Sequence, residues 1–362
     1  MTDCAASSAE PLRWGILSTA GIGCKNWRGM LASDAACLVG VASRDRGKAA
    51  AFIEKMQAEA PWPVTPRAFG SYQELIHCDE IDAVYLPLPT ALRKEWVLRA
   101  ARAGKHVLCE KPCAVDAADL REMIATCREN GVLFMDGVMF MHDPRLPRLR
   151  EVLEDEGKVG EVRRISSAFS FRGGEGFAEA NIRARVALEP AGCLGDLGWY
   201  CIRATLWVMK WELPRRVSGR ILGTTRDPDS NESINDFTGE MDFAHGATAN
   251  FHCSFLAPHQ QWLHVSGVAG GVRVLDFVAP ADDNDADWEA GYEREPRSLR
   301  EMTHEARMFA CFAKDARDPH ASTKWEEMSW KTQLVQDACE GSAISGQPLF
   351  LDHGVYRARV TA

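Results

Sequence analysis

The sequence predicts an α/β domain built on a parallel sheet, followed by an α+β domain with a large, open, predominantly antiparallel sheet. Three observations carry that prediction. Short, almost wholly apolar runs alternate with helix-compatible stretches as far as Asp143. Beyond it, consecutive strand-like runs are separated by tight turns such as Ala244–His245–Gly246 and Gly270–Gly271. The length, 362 residues, is long for one core and comfortable for two.

In the first part, Leu12–Leu17, Cys37–Ala42, Ala83–Leu88, Lys105–Cys109 and Val132–Asp136 read as strands. A parallel sheet covered on both faces needs continuous apolar runs of this kind, rather than alternation. Asp45–Ala60, Glu95–Ala103 and Asp116–Asn130 are the intervening helices. This gives a first domain at 12–143, after a disordered tail at 1–11. A second domain, 144–330, opens with a helix at Arg145–Glu156. Its strands are Val162–Phe171, Arg215–Thr224, Asp236–Phe243, Ala247–Phe255, Trp262–Ala269 and Gly271–Val278, interrupted by one helix at Gly195–Met209. Pro280–Arg297 is acidic and turn-rich and reads as a mobile loop. Helices at Glu301–Lys314 and Lys331–Ser345 follow, so that 331–362 is a closing helix and tail packed back on the body.

Composition narrows the function. With 46% apolar and 26% charged residues the chain is a folded protein. A net charge of -9 with scattered Lys and Arg disfavours nucleic acid and anionic membrane as partners. Met1–Pro11 has no basic region, apolar core or Arg-rich amphipathic pattern, and no run of about 18 apolar residues follows. The expected compartment is the cytoplasm. The twelve cysteines form no CxxC pair, the nearest being Cys109 with Cys113 and Cys193 with Cys201. They read as reduced, buried thiols, with no metal site.

The turn after the first strand, Gly15 to Gly23, stands where a dinucleotide fingerprint belongs. Aligned on Gly23, the two other glycine positions hold Ser18 and Ala20. Small residues there let Ser18, Thr19, Ala20, Gly21 and Ile22 bring backbone N–H groups to a pyrophosphate, as in a Rossmann domain. A tight turn without a ligand is the other reading. The second strand ends at Ser43, about twenty positions after Gly23, where an NAD enzyme places an acid. Here Ser43, Arg44 and Lys48 offer a hydroxyl, a guanidinium and an amine, a set suited to a 2′-phosphate. NADP(H) is therefore preferred over NAD(H), unless Arg44 is only a solvated charge at a strand end. Leu86, Pro87, Leu88 and Pro89 stand at the carboxyl edge of the third predicted strand, either beside the cofactor or as a rigid turn.

Glu110–Lys111–Pro112 comes at the carboxyl end of the strand Lys105–Cys109, facing the same crevice. A lysine there needs a partner or a task. In Gly192–Arg203, helical spacing puts Asp196, Tyr200 and Arg203 on one face, and Gly195 and Gly198 leave room for something to approach. Hydride transfer to a carbonyl develops an alkoxide that needs a proton. A tyrosine with its pKa pulled down by a lysine serves both directions. Equally, Asp196 reads as a helix-start acid and Tyr200 as a core ring.

Ordered motifs then join these pieces. They are Pro87–Thr90 (PLPT), Glu110–Pro112 (EKP), Met135–Gly137 (MDG), His142–Arg145 (HDPR) and Gly195–Leu206 (GDLGWYCIRATL). The chain resembles the Gfo/Idh/MocA oxidoreductases over Leu12–Val278 and Lys331–Asp337, especially the plant-type members. It is similar to the branch with glucose–fructose oxidoreductase, NADP-dependent xylose dehydrogenase and dihydrodiol dehydrogenase. The resemblance implies a Rossmann domain followed by an open-sheet domain that forms a homodimer through that sheet. It implies Lys111 and Tyr200 as the catalytic pair, with Asp196 binding or orienting substrate and Glu110 beside the cofactor. Phe140, His142, Arg145, Trp199 and Arg203 are weaker pocket candidates, for which packing is an equal reading. Departures from the family pattern are Ser18 and Ala20 in the fingerprint, Cys24, and Arg93 where relatives often carry histidine. The activity implied is NADP(H)-dependent hydride transfer at a secondary alcohol or carbonyl of a sugar, cyclic polyol or trans-dihydrodiol. The alternatives are a catalytically silent NADP(H)-binding regulator or sensor, and an enzyme that retains its nucleotide for elimination or hydrolysis.

Overall fold

The computed structural model describes residues 10–279, 286–290, 293–296, 302–318 and 322–358. The start of the predicted tail, Met1–Ala9, lies outside them. Six strands, β1 (Leu12–Leu17), β2 (Ala36–Ala42), β3 (Arg67–Phe69), β4 (Ala83–Leu86), β5 (His106–Cys109) and β6 (Phe134–Asp136), form one sheet ordered β3-β2-β1-β4-β5-β6. Every pairing in it is parallel. Trp14, Ile16 and Leu17 of β1 and all of β4 are buried, as continuous apolar strands require. Helices α1 (Gly21–Leu31), α2 (Arg46–Glu59), α3 (Tyr72–Ile76), α4 (Thr90–Arg102) and α5 (Ala117–Glu129) cover its faces. Asp45, Ser71 and Asp116 cap α2, α3 and α5 with side-chain oxygens. By contrast, α1 starts at Ala20 with no side-chain cap and no acid in its first turn. The strand order reverses between β1 and β4, which opens a crevice at the carboxyl ends. The edge strand β3 has no counterpart in the sequence reading, because three residues are too few to show a period.

After a short turn at Met139–His142 and α6 (Arg145–Glu154), the second sheet begins with β7 (Val162–Ser170). The helical turn α7 (Phe177–Ala180) and a π-helical turn, Leu194–Gly198, lead into α8 (Trp199–Val208). The strands β8 (Arg216–Arg226), β9 (Glu232–Asp242), β10 (Thr248–Ser254), β11 (Gln260–Gly267) and β12 (Gly271–Val274) follow. Of these neighbours only β7 and β10 run parallel. The loop expected at Pro280–Arg297 is corrected in part: β13 (Ala286–Ala290) and β14 (Glu293–Pro296) form a hairpin there. Its ladder starts from β12, where Val272 pairs with Ala290 and Arg273 with Glu289. An existing edge supplies the order that an acidic segment without an apolar period does not announce. The remaining positions of that segment lie outside the described residues.

The chain then returns to the first sheet. Helix α9 (His304–Asp315), assigned by sequence to the second domain, sets Phe309 and Phe312 against Trp14 of β1, with ring centroids 5.0 and 4.7 Å apart. Helix α10 (Ser322–Ser345) is longer than the expected Lys331–Ser345 and runs from β6 and α5 to β8. The closing tail is a hairpin, β15 (Leu349–Asp352) and β16 (Val355–Ala358), which adds to the second sheet beside β8. Helix α10 approaches β8 closely at Gly219, where an added Cβ would stand 2.1 Å from the Cys339 carbonyl oxygen. Gly219→Ala is therefore expected to wedge helix from sheet and lower unfolding free energy by about 1–3 kcal/mol. A urea midpoint equal to that of the wild type would contradict this packing.

Candidate active site

A cleft of about 1370 Å³ runs between the two domains, along the carboxyl edge of the first sheet. Its cofactor side is built on the β1–α1 turn, where Ser18, Thr19, Ala20, Gly21 and Ile22 all line the wall. Ser18 adopts φ 140°, a conformation that favours glycine, and its hydroxyl accepts the Ala20 N–H at 2.9 Å. An added Cβ at Gly21 would meet nothing within 4 Å. An uncapped helix start, free of acids and opening onto empty space, fits a pyrophosphate despite the lost glycines.

Ser43, Arg44 and Lys48 line the next stretch of wall. Among the described residues no ion pair engages Arg44 or Lys48, so their charges remain available. Asp45 also lines the cleft, an acid the sequence reading left out of account. Its carboxylate accepts the Gly47 and Lys48 N–H groups at 2.7 and 3.2 Å, so its charge is directed into the start of α2. Pro87, Leu88 and Pro89 line the cleft, but Leu86 does not. As the last residue of β4 it is fully buried in the core, and its assignment to the cofactor is withdrawn. Arg93, which lines the cleft, donates to the Leu88 carbonyl at 2.7 Å and to the Pro112 carbonyl, tying the two loops together.

Glu110, 7% exposed, ends a buried polar chain. Asn26 Nδ2 donates to the Tyr85 hydroxyl at 2.7 Å, which donates to Glu110 Oε1 at 2.7 Å. Next to it, Lys111 Nζ crosses to the second domain and donates to Asp196 Oδ1 at 2.6 Å and to the Asp196 carbonyl at 2.8 Å. The other carboxylate oxygen, Oδ2, accepts from Arg183 Nε at 2.8 Å. Burial pushes the Asp196 carboxyl up, but the Lys111 and Arg183 charges outweigh it and hold the group at about 2. Lys111 Nζ also lies 4.8 Å from the Tyr200 ring centroid. The Tyr200 hydroxyl points at Met139 Sδ, 3.6 Å away.

The expected downward shift of the tyrosine is reversed. Burial, then the negative charges of Glu110, Asp196 and Glu305, raise the Tyr200 phenol well above its ordinary value. The Arg183 charge pulls the other way without outweighing them. The phenol is neutral at physiological pH, the form of a proton donor.

The shared face predicted from helical spacing holds for two of its three residues. Asp196 and Tyr200 reach the cleft, but Arg203 does not. Arg203 is fully buried, donating to both oxygens of Asp136 and, at 2.7 Å, to Thr332 Oγ1. Trp199 is fully buried beneath that guanidinium, 5.7 Å from its ring centroid. Phe140 lies outside the cleft, packed between Tyr200 and Phe277 at 6.1 and 5.8 Å. His142 stacks on Trp325 at 5.0 Å, and burial, with nearby Lys324, lowers its pKa to about 3. Arg145 is buried between Asp143 and Asp276, each at 2.7 Å. All five candidates are packing and ion-pair residues. The glycines admit the protein itself: a Cβ on Gly195 would lie 3.2 Å from Pro112, and one on Gly198 3.2 Å from Cys253 Sγ. Sequence reasoning missed Arg183, Glu189 and Asn26, none of which belongs to a periodic run or a motif.

The oxidoreductase family with an NAD-binding Rossmann fold matches residues 12–138, and the GFO/IDH/MocA C-terminal domain matches 148–273. The chain belongs to the GFO/IDH/MocA family. It is 32% identical to D-xylose 1-dehydrogenase (NADP(+)) 2 of Haloferax volcanii, over 72% of this chain and 74% of that protein. It is also 32% identical to trans-1,2-dihydrobenzene-1,2-diol dehydrogenase of Mus musculus, over 75% and 77%. A 3-ketoreductase from Actinomadura kijaniata, crystallised with NADP and TDP-benzene, superposes with a TM-score of 0.78 at 25% identity. That superposition covers 92% of this chain and 98% of the reductase. The chain is thus an oxidoreductase with an NAD(P)-binding Rossmann domain. Among the described residues no helix is long and apolar enough to cross a membrane.

Because the Arg203–Asp136 pair lies in the core, Arg203→Ala leaves a buried carboxylate without its cation. A loss of about 3–5 kcal/mol of stability is expected. Denaturant unfolding measures it, with NADP affinity of the folded protein unchanged; lost affinity at full stability would restore Arg203 to the site.

Proposed function

We propose that the chain transfers hydride between NADP(H) and a secondary alcohol or carbonyl of a sugar, cyclic polyol or trans-dihydrodiol. Tyr200 moves the proton and Lys111 holds the reacting oxygen. The observation that carries this reading is the meeting of the two groups on one wall of the cleft, the ammonium 4.8 Å from the phenol ring and anchored to Asp196. The bound nicotinamide supplies or takes the hydride. The chain's own residues must do the rest: orient the substrate oxygen, and give it a proton as negative charge develops.

A neutral phenol suits that task in the direction of reduction. Two of the three Lys111 N–H groups are committed to Asp196, which leaves one for a substrate oxygen. The lysine thus contributes a fixed donor at a point where charge appears, and such preorganised donors lower barriers because they need not reorient. In oxidation the acceptor is the phenolate, so the phenol first releases its own proton to solvent and then takes the one from the substrate hydroxyl. Asn181, Arg183 and Glu189 on the second-domain wall offer donors and acceptors for further hydroxyls. The substrates named for the xylose and dihydrodiol dehydrogenases support this class. Preference for NADP(H) is supported by the uncommitted Arg44 and Lys48, and by the NADP named for the xylose dehydrogenase. A homodimer through the outer face of the second sheet belongs to the same reading, with Arg220 and Leu222 of β8 standing exposed.

Turnover of NADP or NADPH with a panel of aldoses, cyclic diols and their ketones, followed by nicotinamide absorbance, tests the proposal. Binding without turnover across the panel would favour the silent regulator. Tyr200→Phe is expected to lower kcat by about 100-fold or more, the scale of a positioned proton donor, with NADP affinity kept. A variant as fast as the wild type would remove Tyr200 from the chemistry. Arg44→Ala should weaken NADP by about 1.5–3 kcal/mol, roughly 10- to 100-fold, and leave NAD almost unaffected. Equal losses for both nucleotides would reject the phosphate assignment.

A further inference from the structure

The segment from Asn181 to Gly192 links α7 to the π-helical turn and carries no sequence motif, yet it is held at three places. At its start, the Asn181 side chain accepts the Arg183 N–H at 3.1 Å and closes the short turn Ile182–Ala184. In its middle, the Val186 N–H donates to Asp227 Oδ2 at 3.2 Å. Asp227 is itself locked by the N–H groups of Asp229 and Asn231, at 2.9 and 2.8 Å. Near its end, the Leu188 carbonyl accepts the Ala91 N–H at 3.1 Å. There too the Glu189 carboxylate accepts the Thr90 N–H at 3.1 Å and the Thr90 hydroxyl. A stretch from the second half of the chain is thereby pinned to the start of α4, on the nucleotide side of the cleft.

What this brace delivers is Arg183, whose Nε takes Asp196 Oδ2 at 2.8 Å while Oδ1 takes Lys111 at 2.6 Å. The two oxygens of one carboxylate are divided between two cations. We propose that Arg183 is a positioning residue of the reaction: by occupying Oδ2 it turns Oδ1 onto Lys111 and fixes the ammonium beside Tyr200. The inference rests on the Lys111–Tyr200 reading above. An exposed ion pair would be worth little, and the Arg183 side chain is 43% exposed. Asp196, however, is only 15% exposed, so its oxygens depend on protein donors rather than on water. Without Arg183 the carboxylate is free to rotate, and Lys111 keeps a firm hold only on the Asp196 carbonyl.

The charged and titratable groups around this carboxylate are Lys111 beyond β5, Arg183 on the brace and Tyr200 on α8. Glu189 faces Arg183, and Glu110 faces Tyr200. Arg183 favours the ionised form of Asp196, so removing it raises the pH at which Asp196 takes a proton. Once protonated, Asp196 no longer balances Lys111.

Arg183→Ala and Arg183→Lys, made in the full chain, test the proposal. With a sugar or diol that turns over, Arg183→Ala is expected to lower kcat by about 10- to 100-fold, the scale of a misplaced reacting group. The acid limb of the kcat profile moves to higher pH, NADP affinity by fluorescence titration is unchanged, and Arg183→Lys recovers part of the rate. Carbon NMR titration of Asp196 in the nucleotide-free protein should show the same upward move. A wild-type kcat with an unmoved Asp196 titration overturns the proposal. So does a loss confined to KM or to NADP affinity. If Arg183→Ala does not fold, Arg183→Gln and Arg183→Lys decide it by the same measurements. A fully active Lys111→Ala would instead sink the functional reading, and the Asp196 titration in Arg183→Ala would still measure the hold itself.

Discussion

The ion pair between Lys111 and Asp196 is the constraint on which the rest of the site depends. It joins a loop of the parallel sheet to a turn of the second domain at 2.6 Å, with both side chains largely removed from water. Such a pair is favourable only when its geometry is good and its remaining valences are satisfied, because both ions have given up hydration. Here the conditions are met from both sides. Strand β5 ends where Lys111 must emerge, and Gly195 lets the π-helical turn come against Pro112. The spare oxygen of Asp196 is occupied by Arg183, and Lys111 adds a second bond to the Asp196 carbonyl. The walls of the cleft are thus fixed relative to each other by the charges that the chemistry would use.

The arginines of this chain show the same logic in two forms. Arg203 and Arg145 are each enclosed with carboxylates that fully match them, and they serve the core. Arg44 and Lys48 stand exposed on the cleft wall without such partners among the described residues. A cation with matched donors and acceptors on all sides has no attraction left to offer a ligand. One whose charge is uncompensated does, and this difference separates structural from ligand-facing charge more sharply than position in a motif.

Much of the architecture was legible because continuous apolar runs mark the buried parallel strands and tight turns separate the strands after them. What escaped was order supplied by a partner: β3, the β13–β14 hairpin on β12, and the β15–β16 hairpin beside β8. That Lys111, Asp196 and Tyr200 line one cleft could be anticipated because each stands at a strand end or at helical spacing. Arg203 follows the same spacing and yet faces the core, since burial and the Asp136 partner are not written in a three-residue interval. The direction of the Tyr200 shift was out of reach for a related reason. It is set by burial and by carboxylates from distant segments, including Glu305, which no local pattern connects to it.

Glu305 also shows why the nucleotide-binding half is not finished where its strands end. It stands at the start of α9, which supplies the ring contacts on Trp14 and closes a face of the first sheet. There it pairs with Lys25 of α1 at 2.7 Å, and its Cβ lies 2.5 Å from where a side chain on Gly29 would begin. The helix that opens toward the pyrophosphate position is therefore braced by a residue nearly three hundred positions later in the sequence. That residue also lines the cleft and helps keep the phenol protonated. In the proposed reading, nucleotide grip and proton donation share one support, so a disturbance of α9 would reach both without touching either ligand directly.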